Sequence, residues 1–120
     1  MRYTVIEGQS LSVWRTVRAN PPTEADFLSQ KARGRSRRGA PVDQWEGVST
    51  FDNLAVAAAA ARRWKQGTHL ARLVLEPASP VRWARTRGEA HYTLSGTPAE
   101  LLTCVVEVVP LDTVAEGEGV

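Results

Sequence analysis

The stretch "DNLAVAAAAARRWKQG", residues 52–67, decides the class of fold that this sequence favours. Alanine has the highest helix propensity of all residues, and Gly67 after the run is a typical helix stop. The helical repeat places five residues on one face: Leu54, Ala57, Ala58, Ala61 and Trp64. Alanines let a helix lie close to a sheet, so we predict a helix packed on a sheet with Leu54 and Ala58 buried.

Short runs rich in β-branched and aromatic residues predict strands on both sides of this helix. These runs are residues 11–20, 45–51, 68–77, 80–86, 89–94 and 103–111. In the first run, Val13 and Val17 flank Arg15 at a spacing of two, so the arginine is expected on the same strand face as both valines. Trp14 and Thr16 are expected on the opposite face.

Two further helices are predicted from their start signals. Residues 20–34, "NPPTEADFLSQKARG", carry Thr23 as N-cap, Asp26 three positions on as in a capping box, and Gly34 as a stop, which predicts a helix of about ten residues. Residues 95–102, "SGTPAELL", begin a shorter helix with a threonine N-cap, a proline in the first turn and a glutamate that closes a capping box.

The length and composition predict one compact domain. The chain has 120 residues, of which 42% are apolar and 23% are charged, and this suits a single globular core. The order of elements predicts an α+β domain over residues 1–120, with a twisted, mostly antiparallel (split) sheet and the alanine-rich helix packed on it. A mobile basic loop is expected at about residues 33–43, and a frayed acidic tail at about residues 112–120.

Several function classes find no support in the sequence. A single cysteine, Cys104, cannot form an intramolecular disulfide, and no run resembles a signal peptide or a membrane span. The chain has no P-loop, GxGxxG, CxxC or HExxH motif, and two histidines with one cysteine do not make a zinc site. We therefore expect a cytoplasmic protein with no metal and no membrane partner.

The basic residues are unevenly distributed, although the net charge is only +2. Five cations fall within eight positions: Lys31, Arg33, Arg35, Arg37 and Arg38. A patch of this kind attracts phosphate groups and carboxylates, so the partner expected at residues 31–38 is a nucleotide, a nucleic acid or an acidic protein. The alternative is a solvated loop without a partner.

A weaker constellation of polar residues accompanies the predicted strands. Arg15 lies in the middle of the first strand, Ser49 and Thr50 end a later strand just before the alanine-rich helix, and "GEAHY", residues 88–92, opens a strand near the end. This order resembles the ADP-ribosyltransferase fold, in which an early arginine, a Ser-Thr pair before a helix and a Glu-x-Glu near a late strand surround NAD. The resemblance covers residues 13–111.

The resemblance implies an NAD-binding transferase or NAD glycohydrolase. Arg15 would hold the NAD phosphates, Ser49 and Thr50 would support the nicotinamide side, and Tyr92 would also contact the cofactor. Glu89 and His91 would stand at the Glu-x-Glu positions as catalytic residues.

The second of those positions departs from the family pattern, because His91 replaces a glutamate. A neutral imidazole accepts a hydrogen bond from a ribose hydroxyl but cannot neutralise a developing cation as a carboxylate does. Either the chemistry differs, or NAD is bound without turnover, or the likeness is only topological. If it extends to the site, Arg15, Ser49 and His91 line one cleft, and Tyr92 points to the opposite side of its strand.

Two other function classes remain open from the residues alone. A metal-independent ribonuclease or nucleic-acid-binding protein would use His69 and His91 as acid and base, with the basic loop on phosphates. A non-enzymatic interaction module would use that loop to dock an acidic partner. Each polar residue also has a packing role open to it, such as a helix cap for Ser49 and Thr50, and one of the four tryptophans is a candidate surface for stacking a base.

Overall fold

The computed structural model describes residues 10–39, 41–86, 88 and 90–115, without the side chain of Asp43. The strands are β1 (Leu11–Val17), β2 (Val48–Phe51), β3 (His69–Leu75), β4 (Arg82–Arg85), β5 (His91–Ser95) and β6 (Val105–Pro110). The helices are α1 (Val42–Glu46), α2 (Leu54–Trp64) and α3 (Pro98–Thr103). The strands form one six-stranded sheet in the order β4-β5-β2-β1-β3-β6, with every neighbouring pair antiparallel. The domain is therefore α+β, as predicted.

The side of the sheet that carries Val13, here called the Val13 face, is buried under α3 and a 3-10 turn at Glu24–Phe27. Phe27 from the turn and Leu101 from α3 belong to the same buried cluster as Val13. The start of α3 follows the prediction, because the Thr97 hydroxyl and the Glu100 carboxylate form the capping box. These two short elements close one side of the core.

The opposite side of the sheet, the Trp14 face, carries the alanine-rich helix α2. Ala58 is fully buried there, as predicted, and Ala57 and Ala61 lie beside it. Leu54, predicted buried, is half-buried at the helix start and packs against this cluster. Methyl side chains bring α2 close to the sheet, which confirms the packing expected from the sequence.

Strand β1 pairs very differently with its two neighbours. It pairs with β3 along its whole length, from Leu11 opposite Leu75 to Val17 opposite His69. With β2 it has a single described register pair, Trp14 opposite Phe51. The sheet is therefore split between β1 and β2 beyond that pair.

The helix predicted for residues 20–34 is not formed. The 3-10 turn ends at Phe27, and Leu28 is already extended, with ψ at 135°. In a continuing helix the carbonyl of Asp26 would accept from the residue four positions on, but here it accepts from Nε of Arg15 at 2.7 Å. The Asp26 carboxylate also accepts from the backbone N–H of Arg18 at 2.9 Å. Contacts distant in sequence therefore override the local helix signal.

The second strand and the C-terminal segment also differ from prediction. Trp45 and Glu46, predicted as part of a strand over 45–51, belong to α1, so β2 begins at Val48. The segment after β6 forms a 3-10 turn at Leu111–Thr113, and Arg62 of α2 donates from Nη2 to the carbonyls of Leu111, at 2.9 Å, and of Val114. The predicted frayed tail is thus held against α2 up to residue 114, and residues 116–120 of that tail lie outside the described residues.

Candidate functional site

A cleft of about 350 Å³ opens where β1 and β2 diverge. Trp14 and Thr16 of β1 and Ser49 and Phe51 of β2 line it, together with the end of α2 and residues from the segment 28–35. Its lining carries five cations: Arg15, Arg18, Arg33, Arg35 and Lys65. No aspartate or glutamate belongs to the described residues that line it. The cleft is therefore strongly positive and suited to an anion.

Arg15 joins three segments at the base of this cleft. Its Nε donates to the carbonyl of Asp26 at 2.7 Å, and its Nη1 donates to the carbonyl of Ser49 at 2.9 Å. The pKa of Arg15 is lowered to about 10, first by burial and then by the positive charge of Arg33, while Asp26 opposes the shift. These bonds use two of the five guanidinium donors, and through them Arg15 links β1 to the Asp26 turn and to β2.

Trp45 of α1 anchors the basic segment beside the cleft. Its indole N–H donates to the carbonyl of Arg35 at 2.8 Å, and its own carbonyl accepts from the backbone N–H of Lys31 at 3.1 Å. The Lys31 ammonium lies 5.4 Å from the centroid of the indole ring and 3.9 Å from a carboxylate oxygen of Glu46. Residues 30–39 are exposed, as predicted for the loop. Lys31 and Arg35 are nevertheless hydrogen-bonded to Trp45 of α1. The mobility of residues 33–43 stays a prediction.

Arg33 lies among like charges. Its pKa is lowered, first by partial burial and then by the positive charges of Arg18 and Arg35, whereas Asp26 opposes the shift. An anion among these like charges would offset their mutual repulsion.

The structure brings together two of the residues predicted for the NAD site. Arg15 and Ser49 both line the cleft. Thr50 is buried on the Val13 face, where its hydroxyl donates to the carbonyl of Tyr92 at 3.0 Å. The Tyr92 hydroxyl accepts from Nη2 of Arg85 at 3.1 Å, on the same face. Neither Thr50 nor Tyr92 lines the cleft, so their side chains serve the sheet rather than this site.

The two predicted catalytic residues are not in the cleft as described. Glu89 lies outside the described residues. His91 pairs with Phe51, which pairs with Trp14, so His91 lies on the Trp14 face while Arg15 lies on the Val13 face. The prediction that Arg15, Ser49 and His91 line one cleft is therefore wrong for His91, because strand register separates it from Arg15. The companion prediction, that Tyr92 points away from His91, is confirmed.

His91 instead lines a shallower depression next to the cleft. The depression lies between α2 and the sheet, and its described lining is Phe51, Val56, Ala59, Ala60, Arg63, Trp64 and His91. The imidazole is buried, forms an edge contact with the Phe51 ring at 5.2 Å between centroids, and shares a hydrogen bond between Nδ1 and the Thr86 hydroxyl. Phe51 and Trp64 line both the cleft and the depression, so the two are neighbours.

Two cations of the site escaped the sequence analysis as site residues. Arg18 and Lys65 are isolated in the sequence from the basic run, and folding brings both to the cleft. Trp64, predicted on the apolar helix face, is 63% exposed at the rim. An arginine directly after a strand and a Trp-Lys pair at a helix end carry no signal by themselves, because their approach depends on how α2 crosses the sheet.

No family model, curated protein or solved structure matches the chain. Within the described residues, no group of three or more histidine, cysteine, aspartate or glutamate side chains could hold a metal ion. None of the helices in that part of the chain is long and apolar enough to cross a bilayer.

Proposed function

We propose that the protein binds a phosphate-bearing nucleotide in the basic cleft between β1 and β2, and that this nucleotide is NAD, as the resemblance to ADP-ribosyltransferases implies. The observation that carries the proposal is the lining of the cleft, in which five cations and no described carboxylate lie beside Trp14, Phe51 and Trp64. Cationic donors suit phosphate oxygens, and aromatic rings suit a base.

The cations have separate roles in this proposal. Arg18, Arg33 and Arg35 offer guanidinium groups, which bind phosphate oxygens in pairs of hydrogen bonds. Arg15 bridges the split by donating to the carbonyls of Asp26 and Ser49, and it adds its positive charge to the cleft lining. Its part is thus to shape the phosphate site rather than to hold a phosphate alone.

Binding without turnover is the form of the proposal that the geometry supports best. Transfer of ADP-ribose or hydrolysis of NAD is the further step that the resemblance implies, with Glu89 and His91 as its residues. His91 projects from the face opposite Arg15, so a ligand held by the cations does not meet the imidazole inside the cleft.

Calorimetric titration with NAD, ADP-ribose and a short single-stranded RNA tests this function. The loop offers a matched pair of double variants, because Arg33 and Arg35 line the cleft whereas Arg37 and Arg38 are not among its lining residues. We expect Arg33→Glu/Arg35→Glu to weaken NAD binding at least about 10-fold, the size of losing a charged hydrogen bond. Arg37→Glu/Arg38→Glu should change it much less.

The competing functions give different patterns in the same titrations. A nucleic-acid-binding protein would bind RNA more tightly than NAD and lose affinity equally in both double variants, since nonspecific phosphate contacts depend on total charge. A module for an acidic protein would bind none of the three ligands. Either pattern would contradict the proposed function.

A further inference from the structure

We propose that the cleft and the depression form one bipartite site, in which the phosphates of the nucleotide lie in the cleft and its base lies on Trp64 in the depression, and that the base is an uncharged one such as adenine. This inference rests on the proposed function and adds which end of the ligand lies where.

The cleft and the depression differ in the polarity of their lining. The cleft holds the five cations. The described lining of the depression is mostly apolar, with Phe51, Val56, Ala59 and Ala60 around Trp64. A nucleotide has the same division between a charged end and a flat apolar ring, so its two ends match the two parts.

Trp64 borders both the cleft and the depression and is 63% exposed. A tryptophan so exposed leaves much of its indole in water, and base stacking on an aromatic ring is favourable for any base. Phe51, the other shared residue, is half-buried and also lines both parts. Two aromatic side chains therefore border the cleft and the depression alike.

The charge of the ligand ring distinguishes adenine from nicotinamide. The Arg63 guanidinium already lies 5.1 Å from the centroid of the Trp64 ring and also lines the depression. The oxidised nicotinamide ring is itself positive and would meet this guanidinium, whereas adenine is neutral. Adenine can stack on Trp64 without that repulsion.

A set of four small ligands tests the inference by calorimetry on the whole chain. Pyrophosphate reports on the cleft alone, and ADP adds a base and ribose to it. AMP and nicotinamide mononucleotide share one ribose phosphate and differ in the ring. We expect ADP to bind about 10-fold more tightly than pyrophosphate through stacking, and AMP to bind more tightly than nicotinamide mononucleotide.

The Trp64→Leu variant assigns any gain to the indole. It should lower ADP affinity about 10-fold relative to pyrophosphate affinity, because it removes a stacking surface but no charge. Trp64→Phe should recover part of the ADP affinity. Far-ultraviolet circular dichroism checks that both variants fold, which is expected for a side chain so exposed.

The outcomes separate this inference from the proposed function. If pyrophosphate and ADP both fail to bind, the proposed function fails and this inference fails with it. If pyrophosphate binds but ADP gains nothing, or if Trp64→Leu leaves ADP affinity unchanged, the bipartite site is overturned while the anion-binding cleft stands. Tighter binding of nicotinamide mononucleotide than of AMP would overturn the choice of a neutral base.

Discussion

The guanidinium of Arg15 crosses the split between β1 and β2, and its Nη1 donates to the carbonyl oxygen of Ser49 at 2.9 Å. The only described register pair of these strands is Trp14 opposite Phe51, so a side chain here replaces part of a backbone ladder. The same guanidinium also binds the carbonyl of Asp26. One arginine therefore holds open a gap in the sheet and fixes one wall of a cleft.

We predict that Arg15→Ala lowers the free energy of unfolding by about 2–4 kcal/mol, because it leaves two part-buried carbonyls without their charged donor. Urea denaturation followed by circular dichroism measures the change. Arg82→Ala is the matched control, since Arg82 is an exposed arginine on the edge strand β4 and should change stability by less than about 0.5 kcal/mol. Equal midpoints for both variants would show that Arg15 is only a surface cation.

Pyrophosphate should stabilise the fold more than chloride at equal ionic strength. The pKa values of Arg15 and Arg33 are both lowered, first by burial and then by neighbouring positive charge, and an anion in the cleft would offset that repulsion. A ligand that binds the folded state alone raises the free energy of unfolding, by about 2.7 kcal/mol at 100 times its Kd. Thermal scans of the wild type and of Arg33→Glu/Arg35→Glu measure this. A similar rise in the variant would place the anion elsewhere.

Most elements of the fold were predictable because their signals are local. The alternation in β1 and the capping box at Thr97 depend on neighbours a few positions away, and both are present in the structure. The helix predicted after Thr23 failed because Arg15 and Arg18 take the polar groups of Asp26. Arg15 and Arg18 lie 11 and 8 positions before Asp26. No local sequence pattern therefore reveals these contacts.

The site was predictable only in part. Arg33 and Arg35 of the basic run line the cleft, but Arg18, Trp64 and Lys65 reach it through tertiary packing. The separation of Arg15 from His91 depends on strand register, because a shift of one residue exchanges the two faces of a strand. A single sequence fixes the alternation within one strand but not its alignment with the next.

The anchor of the basic segment gives a further prediction. Trp45→Phe removes the indole N–H that donates to the carbonyl of Arg35 and keeps an aromatic ring under Lys31. We expect a stability loss of at most about 1 kcal/mol, because the bond is exposed, and a several-fold loss of nucleotide affinity as Arg35 loses its position. Trp83→Phe is the control, since Trp83 packs on Tyr92 away from the cleft. An unchanged affinity for Trp45→Phe would mean that the segment orders itself without α1.

Thr50 should behave as a structural residue. Thr50→Val keeps the shape of the side chain but removes the buried hydroxyl that donates to the carbonyl of Tyr92. The expected cost is about 1 kcal/mol of unfolding free energy, with no change in nucleotide affinity. The comparison variant is Ser49→Val, because Ser49 lines the cleft whereas Thr50 does not. This variant places a β-branched side chain at the cleft wall. Weaker nucleotide binding by the Thr50 variant would return this residue to the cofactor site.

The last prediction concerns His91, a residue that is only 3% exposed. Its Nδ1 shares a hydrogen bond with the Thr86 hydroxyl, and that hydroxyl lies 3.0 Å from the Thr93 hydroxyl. The ring also packs edge-on against Phe51. His91→Ala would therefore leave a cavity beside the hydroxyl groups of Thr86, which is half-buried, and Thr93, which is buried.

We expect His91→Ala to lower the free energy of unfolding by about 2–3 kcal/mol, because it combines lost packing with an unsatisfied polar group. Pyrophosphate affinity, measured at a temperature where the variant is folded, should stay near the wild-type value, since His91 lies outside the cleft lining. The decisive comparison adds an assay for nicotinamide release from NAD. If the wild type releases nicotinamide and the variant keeps its stability but loses that activity, His91 acts on the substrate and the structural role argued from its burial is wrong.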